Sequence, residues 1–205
     1  MSWEELERLP EEIAEQIELW NGRVVWVRRG PSPHQRFMRR LANALERCAQ
    51  KSMAERTELC WQVDAENNVF FGQSGKSDFM TPDFLVFQCL PSTLQDIRAT
   101  DVLLVGEVLS PSNTEPDMEA KKNRYASAGI PWYWEARLDL NGPAISTIRA
   151  YALALELERG HLVEGVRPLR PANYVLAGEW SPAETDGVEF DFPFSIRIPW
   201  AELEY

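Results

Sequence analysis

One carboxylate stands where a carboxylate is costly. Glu107 interrupts the run Val102-Leu103-Leu104-Val105-Gly106-Glu107-Val108-Leu109, which is otherwise without charge. A charge in such a buried run must be paired, protonated or bound to metal. Asp83 opens a second strand-like run, Pro82-Asp83-Phe84-Leu85-Val86-Phe87. If the two strands are neighbours, both carboxylates converge at one end of a sheet. Two carboxylates and water suit a hard cation, Mg²⁺ or Mn²⁺. Taken singly the residues have plainer readings. Asp83 is then a turn acid after proline, and Glu107 is half of a buried salt bridge.

The segment after Glu107 adds a cation. Pro116 suits the first turn of a helix that ends near Gly129-Ile130-Pro131. On its wheel Asp117, Lys121, Tyr125 and Ala128 share one narrow stripe, and Tyr125 and Ala128 mark that stripe as the packed side. Lys122 lies about 100° away, toward Glu119 and Asn123. The spacing predicts Lys121 facing inward, aimed at Asp83 and Glu107, and Lys122 in solvent. The alternative for Lys121 is an ion pair with Asp117 one turn earlier.

Two helices and several strands must position these groups. A helix is predicted from His34 to about Lys51, because Phe37, Leu41, Ala44, Leu45 and Cys48 fall on one face. His34 projects close to that face, either as a neighbour of the site or as a packed core histidine. Arg36, Arg40 and Arg47 form an outward basic stripe. Ile17–Trp20 and Arg23–Val27 read as a hairpin around Asn21-Gly22, a pair that favours a type I′ turn. Leu59–Val63, Val69–Phe71 and Trp132–Glu135 read as strands, with 72–80 as a polar loop. Ile145–Leu157 and His161–Val166 read as a strand pair around Arg159-Gly160, and Phe194–Ile198 as the last strand. The nearly all-apolar run 102–109 is predicted to be central and covered on both faces. The expected class is α/β: a mixed sheet with two principal helices, in one domain over 1–205, with an acidic arm or helix over 1–16.

The chain has 205 residues, 44% hydrophobic and 26% charged, and a formal charge of −11. No run of 18 apolar residues is present, so no membrane helix is expected. The acidic start is unlike a signal peptide, and a cytoplasmic chain is expected. The charge is unevenly spread: residues 1–20 hold seven acids and one base, whereas 23–56 hold nine bases and two acids. That basic stretch is either a solvated face or an anion-binding one. The cysteines, Cys48, Cys60 and Cys89, are odd in number and form no CxxC, so three reduced thiols are expected. With only His34 and His161 available as partners, a Cys–His enzyme is disfavoured.

The stretches TPDFLVF (81–87), GEVLSPSN (106–113), Asp117…Lys121…Tyr125 and GIPWYW (129–134) resemble the Uma-type family of restriction endonucleases. That family is common in bacteria and lies in the PD-(D/E)XK nuclease superfamily. IELWNGRVV (17–25), PSPHQRF (31–37) and FSIRIPWAEL (194–203) extend the likeness over most of the chain. The resemblance implies a restriction-endonuclease-like mixed sheet flanked by helices, with additional antiparallel hairpins. It makes Asp83 the metal-binding aspartate and Glu107 the second carboxylate. The superfamily's lysine stands two residues after that glutamate, where this chain has Leu109. The resemblance puts Lys121 in its place, as the wheel also does. It implies Mg²⁺- or Mn²⁺-dependent hydrolysis of DNA phosphodiesters, with Arg36, Arg40 and Arg47 tracking the backbone. A homodimer is compatible with that chemistry. The alternatives are a nuclease-fold binding or regulatory protein without cleavage, and hydrolysis of another phosphate ester.

Overall fold

The structure, a computed structural model, describes residues 1–27, 30–72, 74–92, 94–110, 113–139, 142, 144–155 and 172–204. The expected turn at Arg159-Gly160 and strand at 161–166 lie outside them. So do Arg28 and Arg29 of the basic stretch.

In chain order the elements are α1 (Trp3–Leu6), α2 (Glu11–Ala14), β1 (Ile17–Trp20), β2 (Arg23–Trp26), α3 (Ser32–Glu55), β3 (Trp61–Ala65), β4 (Val69–Phe70), β5 (Phe79–Met80), β6 (Phe84–Gln88), β7 (Ile97–Arg98), β8 (Val102–Leu109), α4 (Glu115–Ser127), β9 (Trp132–Leu138), β10 (Ile145–Leu155), β11 (Ala172–Trp180), β12 (Gly187–Phe190), β13 (Ile196–Pro199) and α5 (Trp200–Leu203). The polar loop expected over 72–80 ends in β5, which pairs with β1 and β4.

The larger sheet has six strands in the order β11-β10-β9-β8-β6-β3. β8 is interior, antiparallel to β6 and parallel to β9. A parallel neighbour needs a crossover connection, and α4 supplies it. Thr114 caps that helix through its side chain, Pro116 sits in its first turn, and Gly129 follows its end at φ 81°. The apolar character of β8 matches its burial on both sides.

Alternation along the strands sorts the side chains into two faces. Phe84, Val86, Leu104, Val108, Trp134 and Ala136 pack against Phe37, Leu41, Leu45 and Cys48 of α3, with Ile196 and Ile198 of the β12–β13 hairpin. Leu85, Phe87, Val105 and Tyr133 pack on the opposite face with Tyr125 of α4 and with Val69 and Met80 of the smaller sheet. Gly106 stands opposite Phe84 in register, and a Cβ on Gly106 would lie 1.9 Å from the Phe84 ring. Only glycine lets the ring cross β8 there.

The smaller sheet runs β2-β1-β5-β4-β7. Its β1–β2 hairpin turns through Asn21 and Gly22, at φ 51° and 77°, as the Asn-Gly pair predicts. The acidic N-terminal arm is two short helices seated on this sheet. Trp3 packs edge-on against Phe70 and Phe79, and its backbone N–H donates to Ser77 Oγ at 2.9 Å.

The expectation of three reduced thiols is corrected. Cys60 and Cys89 form a disulfide, with Cα atoms 5.3 Å apart, and Cys48 is free and buried. β3 and β6 are antiparallel and pair Trp61 with Gln88, so the residues just beyond that pair face one another. Cysteine spacing alone does not carry this register.

Candidate active site

The sheet delivers the two carboxylates together. Asp83 lies just before β6 and Glu107 near the end of β8, and the antiparallel pairing of Phe84 with Gly106 makes them neighbours. The Asp83 carboxylate accepts the Val108 N–H at Oδ2, 2.6 Å away, and contacts His34 Nε2 through Oδ1 at 3.2 Å. Glu107 is 4% exposed. Its Oε2 accepts from Lys121 Nζ and its Oε1 from the Tyr125 hydroxyl, both at 2.8 Å. Lys121 therefore points inward, onto Glu107. Asp117 instead accepts from its own cap, Thr114 Oγ1.

His34 is in the first turn of α3 and is buried, so the start of the helix sends an imidazole to the site. Burial holds its imidazole pKa below the usual value, against the pull of Glu107 and Glu66. A neutral ring donating from Nε2 to Asp83 leaves Nδ1 as a buried acceptor, and that atom has no partner among the described residues. Gly30 makes room for the ring, since a Cβ there would lie 2.2 Å from it.

The electrostatics mark a crowded acid pair. Burial pushes the Asp83 and Glu107 carboxyls up to about 7, and the neighbouring Lys121 opposes the rise in both. Burial disfavours the Lys121 ammonium, but Glu107, Glu18 and Asp83 outweigh it and hold its pKa above the usual lysine value. Burial, then Glu107, raises the Tyr125 phenol well above its ordinary value, so it remains a donor.

A third acid was not singled out from the sequence. Glu18 of β1 is fully buried and lines the same cavity. It accepts the Thr81 N–H at 3.0 Å and the Trp20 indole N–H at 2.9 Å. The available signal was a lone charge within the strand Ile17-Glu18-Leu19-Trp20, the same signal that Glu107 carries. The cavity is about 430 Å³ and holds His34, Glu66, Asp83, Glu107 and Lys121 in its lining. Glu7 and Glu15 of the acidic arm form part of its wall.

The donor set fits a hard divalent cation. Asp83 and Glu107 are oxygen donors that face one cavity, and one ammonium does not balance two carboxylates. Among the described residues no ready cluster of three His, Cys, Asp or Glu side chains stands around one point. An ion held by Asp83 and Glu107 would complete its shell with water and substrate oxygens, as Mg²⁺ commonly does.

The arginines are not brought to this centre as a group. Arg47 is occupied elsewhere: its guanidinium donates to Glu202 at 2.9 Å and to the Arg197 carbonyl, tying α3 to the C-terminal end. Arg36 and Arg40 are half-buried on α3.

The expectation for Lys122 is also corrected. It does not face solvent. Its Nζ lies 2.7 Å from Glu135, which is fully buried on β9, and 3.1 Å from Glu119.

A mixed sheet with an acid pair at the edge of a parallel crossover, and a lysine from the crossover helix, defines a nuclease-like α/β protein. The chain belongs to the family described as "Uma2: Putative restriction endonuclease", whose model matches residues 3–167. Its fold is similar to a solved structure from Anabaena variabilis described as "a putative nuclease belonging to DUF820". The TM-score is 0.59 at 14% identity, over 99% of this chain and 97% of that one. No curated protein matches the chain. No helix among the described residues is long and apolar enough to cross a membrane.

Proposed function

We propose that this chain is a divalent-metal-dependent endonuclease that hydrolyses DNA phosphodiester bonds, working as one domain over 1–205. The observation that carries the reading is the convergence of half-buried Asp83 and buried Glu107 with Lys121 held on Glu107 at 2.8 Å. Mg²⁺ or Mn²⁺ bound by Asp83 and Glu107 would polarise the scissile phosphate and lower the pKa of a water.

The chain's own groups do the rest. The Val108 N–H and His34 fix the two oxygens of Asp83. Tyr125 fixes one oxygen of Glu107 and leaves the carboxylate aimed at the cavity. The Lys121 ammonium stabilises negative charge that develops on the phosphate in the transition state. Arg36 and Arg40 of α3 are the proposed backbone contacts, with Arg47 a third once it leaves Glu202.

A second reading is a nuclease-fold binding or regulatory protein without cleavage. It is favoured by the net charge of −11 and by Glu7 and Glu15 in the cavity wall, which repel a polyanion. A cleavage assay on supercoiled, linear and single-stranded DNA decides between them. Cleavage that needs Mg²⁺ or Mn²⁺ and falls by about 10²–10³-fold in Lys121→Ala supports the nuclease. Intact DNA in every condition, with binding retained, supports the second reading.

A further inference from the structure

Beside the candidate centre lies a further buried carboxylate, Glu135, that the chemistry above leaves unused. β8 and β9 are parallel, and Glu107 stands in register with Glu135. Adjacent strands are about 4.8 Å apart, so two carboxylates project side by side from the same sheet face. α4 covers both. Lys121 Nζ is 2.8 Å from Glu107, and Lys122 Nζ is 2.7 Å from Glu135.

Consecutive helical residues diverge by about 100°. Two consecutive lysines reach the sheet together only if the helix axis lies above the gap between the two strands, with one side chain on either side. The Glu135 side is closed. The Tyr151 and Tyr133 hydroxyls lie 3.3 and 3.4 Å from its oxygens, and the Lys122 ammonium sits 4.8 Å from the Tyr151 ring centroid. Two more residues of α4 hold it: Tyr125, whose hydroxyl meets Glu107 and whose ring stacks on Tyr133, and Arg124, which pairs with Asp78 and lies over the Trp20 and Phe71 rings. Of the 13 residues of α4 only Met118, Tyr125 and Ala126 are buried.

We infer that the Lys122–Glu135 pair is a positioning element: with Tyr125 and Arg124 it sets the rotation of α4, and it is the ion pair that holds the helix to β9 beside the point where Lys121 meets Glu107. Its kinetic consequence rests on the nuclease reading above, whereas its geometric consequence does not. Without the Lys122 anchor α4 loses its ion pair with β9, and the Lys121 ammonium, on the adjacent residue, shifts from the point where it meets Glu107. A misplacement of about 1 Å at a reacting centre can cost ~100-fold in rate.

The test uses Glu135→Gln, Lys122→Met and Lys122→Arg in the full chain. The first two should lower kcat for Mg²⁺-dependent cleavage of supercoiled DNA by about 100-fold, with KM unchanged. Mn²⁺ affinity should also stay unchanged. Lys122→Arg keeps the charge and should recover part of the loss. If Glu135→Gln fails to fold, the contrast between Lys122→Met and Lys122→Arg still decides. A second readout needs no activity. The Lys121 ammonium protons, followed through the side-chain ¹⁵N resonance, should exchange faster with water in Lys122→Met than in the natural chain. A lowered melting temperature with unchanged kcat and unchanged Lys121 exchange would overturn the inference. If the natural chain cleaves no DNA, the nuclease reading fails, and the Lys121 exchange rate alone decides this one.

Discussion

The two faces of the larger sheet are held by different forces. On the α3 face, a helix of 24 residues buries nine of them against Phe84, Val86, Leu104, Val108 and Trp134. On the α4 face, a helix of 13 residues buries three, packs Tyr125 against Val105 and Tyr133, and is held by three ion pairs, Lys121 on Glu107, Lys122 on Glu135 and Arg124 on Asp78. Apolar packing tolerates small slips and is sized by area. Charge-assisted hydrogen bonds fix direction as well as distance. The face that must aim a lysine is the one organised by ion pairs. His34 crosses the division: α3 buries its body in the core and its first turn reaches Asp83.

If that contrast is right, substitutions on the α4 face should remove function from a folded chain. Asp83→Asn and Glu107→Gln should each abolish Mn²⁺ binding measured by calorimetry, and undiminished binding in both would end the proposed metal site. Lys121→Ala should keep Mn²⁺ binding and lower kcat by about 10²–10³-fold, the usual loss for one transition-state donor. Substitutions on the α3 face should do the reverse. Leu45→Ala, at a fully buried position, should cost roughly 2–5 kcal/mol in denaturant unfolding. The Mn²⁺ affinity of its folded fraction should not change, and a loss in step with stability would blur the two faces into one.

pH separates the faces more gently. The Asp83 and Glu107 carboxyls titrate at about 7 when folded, above ordinary values of 3.8 and 4.5. Between those limits the folded chain binds more protons than the unfolded one, so stability falls as pH rises. The metal-free chain should therefore hold this contribution fully below about pH 4 and lose it as pH passes about 7. Protons compete with a cation for the same oxygens, so Mn²⁺ affinity should rise over the same window. In Glu107→Gln the melting temperature should depend less on pH.

The smallest effects belong to the outer surface of α3. Arg47→Gln breaks a half-exposed pair with Glu202 and should cost about 0.5 kcal/mol. Arg36→Gln with Arg40→Gln should flatten the slope of log K against log salt on duplex DNA by about 0.9 for each phosphate no longer neutralised. An unchanged slope would remove α3 from the proposed DNA surface.

Much of this architecture was legible from local pattern. The Asn-Gly hairpin, the apolar run 102–109, the helix after Pro116 and the inward His34 each follow from backbone preference or from the period of apolar residues. Lys121 could be turned inward because Tyr125 one turn later marks the packed stripe. The cost of burying a charge singled out Glu107, and the same reasoning applied to Ile17-Glu18-Leu19-Trp20 would have found Glu18. What lies opposite an element is a different kind of information. Lys122 was expected in solvent because a helical wheel has one inward side, yet α4 sits astride two strands that both carry a glutamate. Cys60 and Cys89 meet because β3 and β6 are antiparallel in one particular register. The acidic arm reaches the cavity wall because Trp3 docks between Phe70 and Phe79, far away in the chain. Periodicity is a property of one segment and can be read along the chain. Pairing depends on the positions of two segments, and those are set by the packing of the whole.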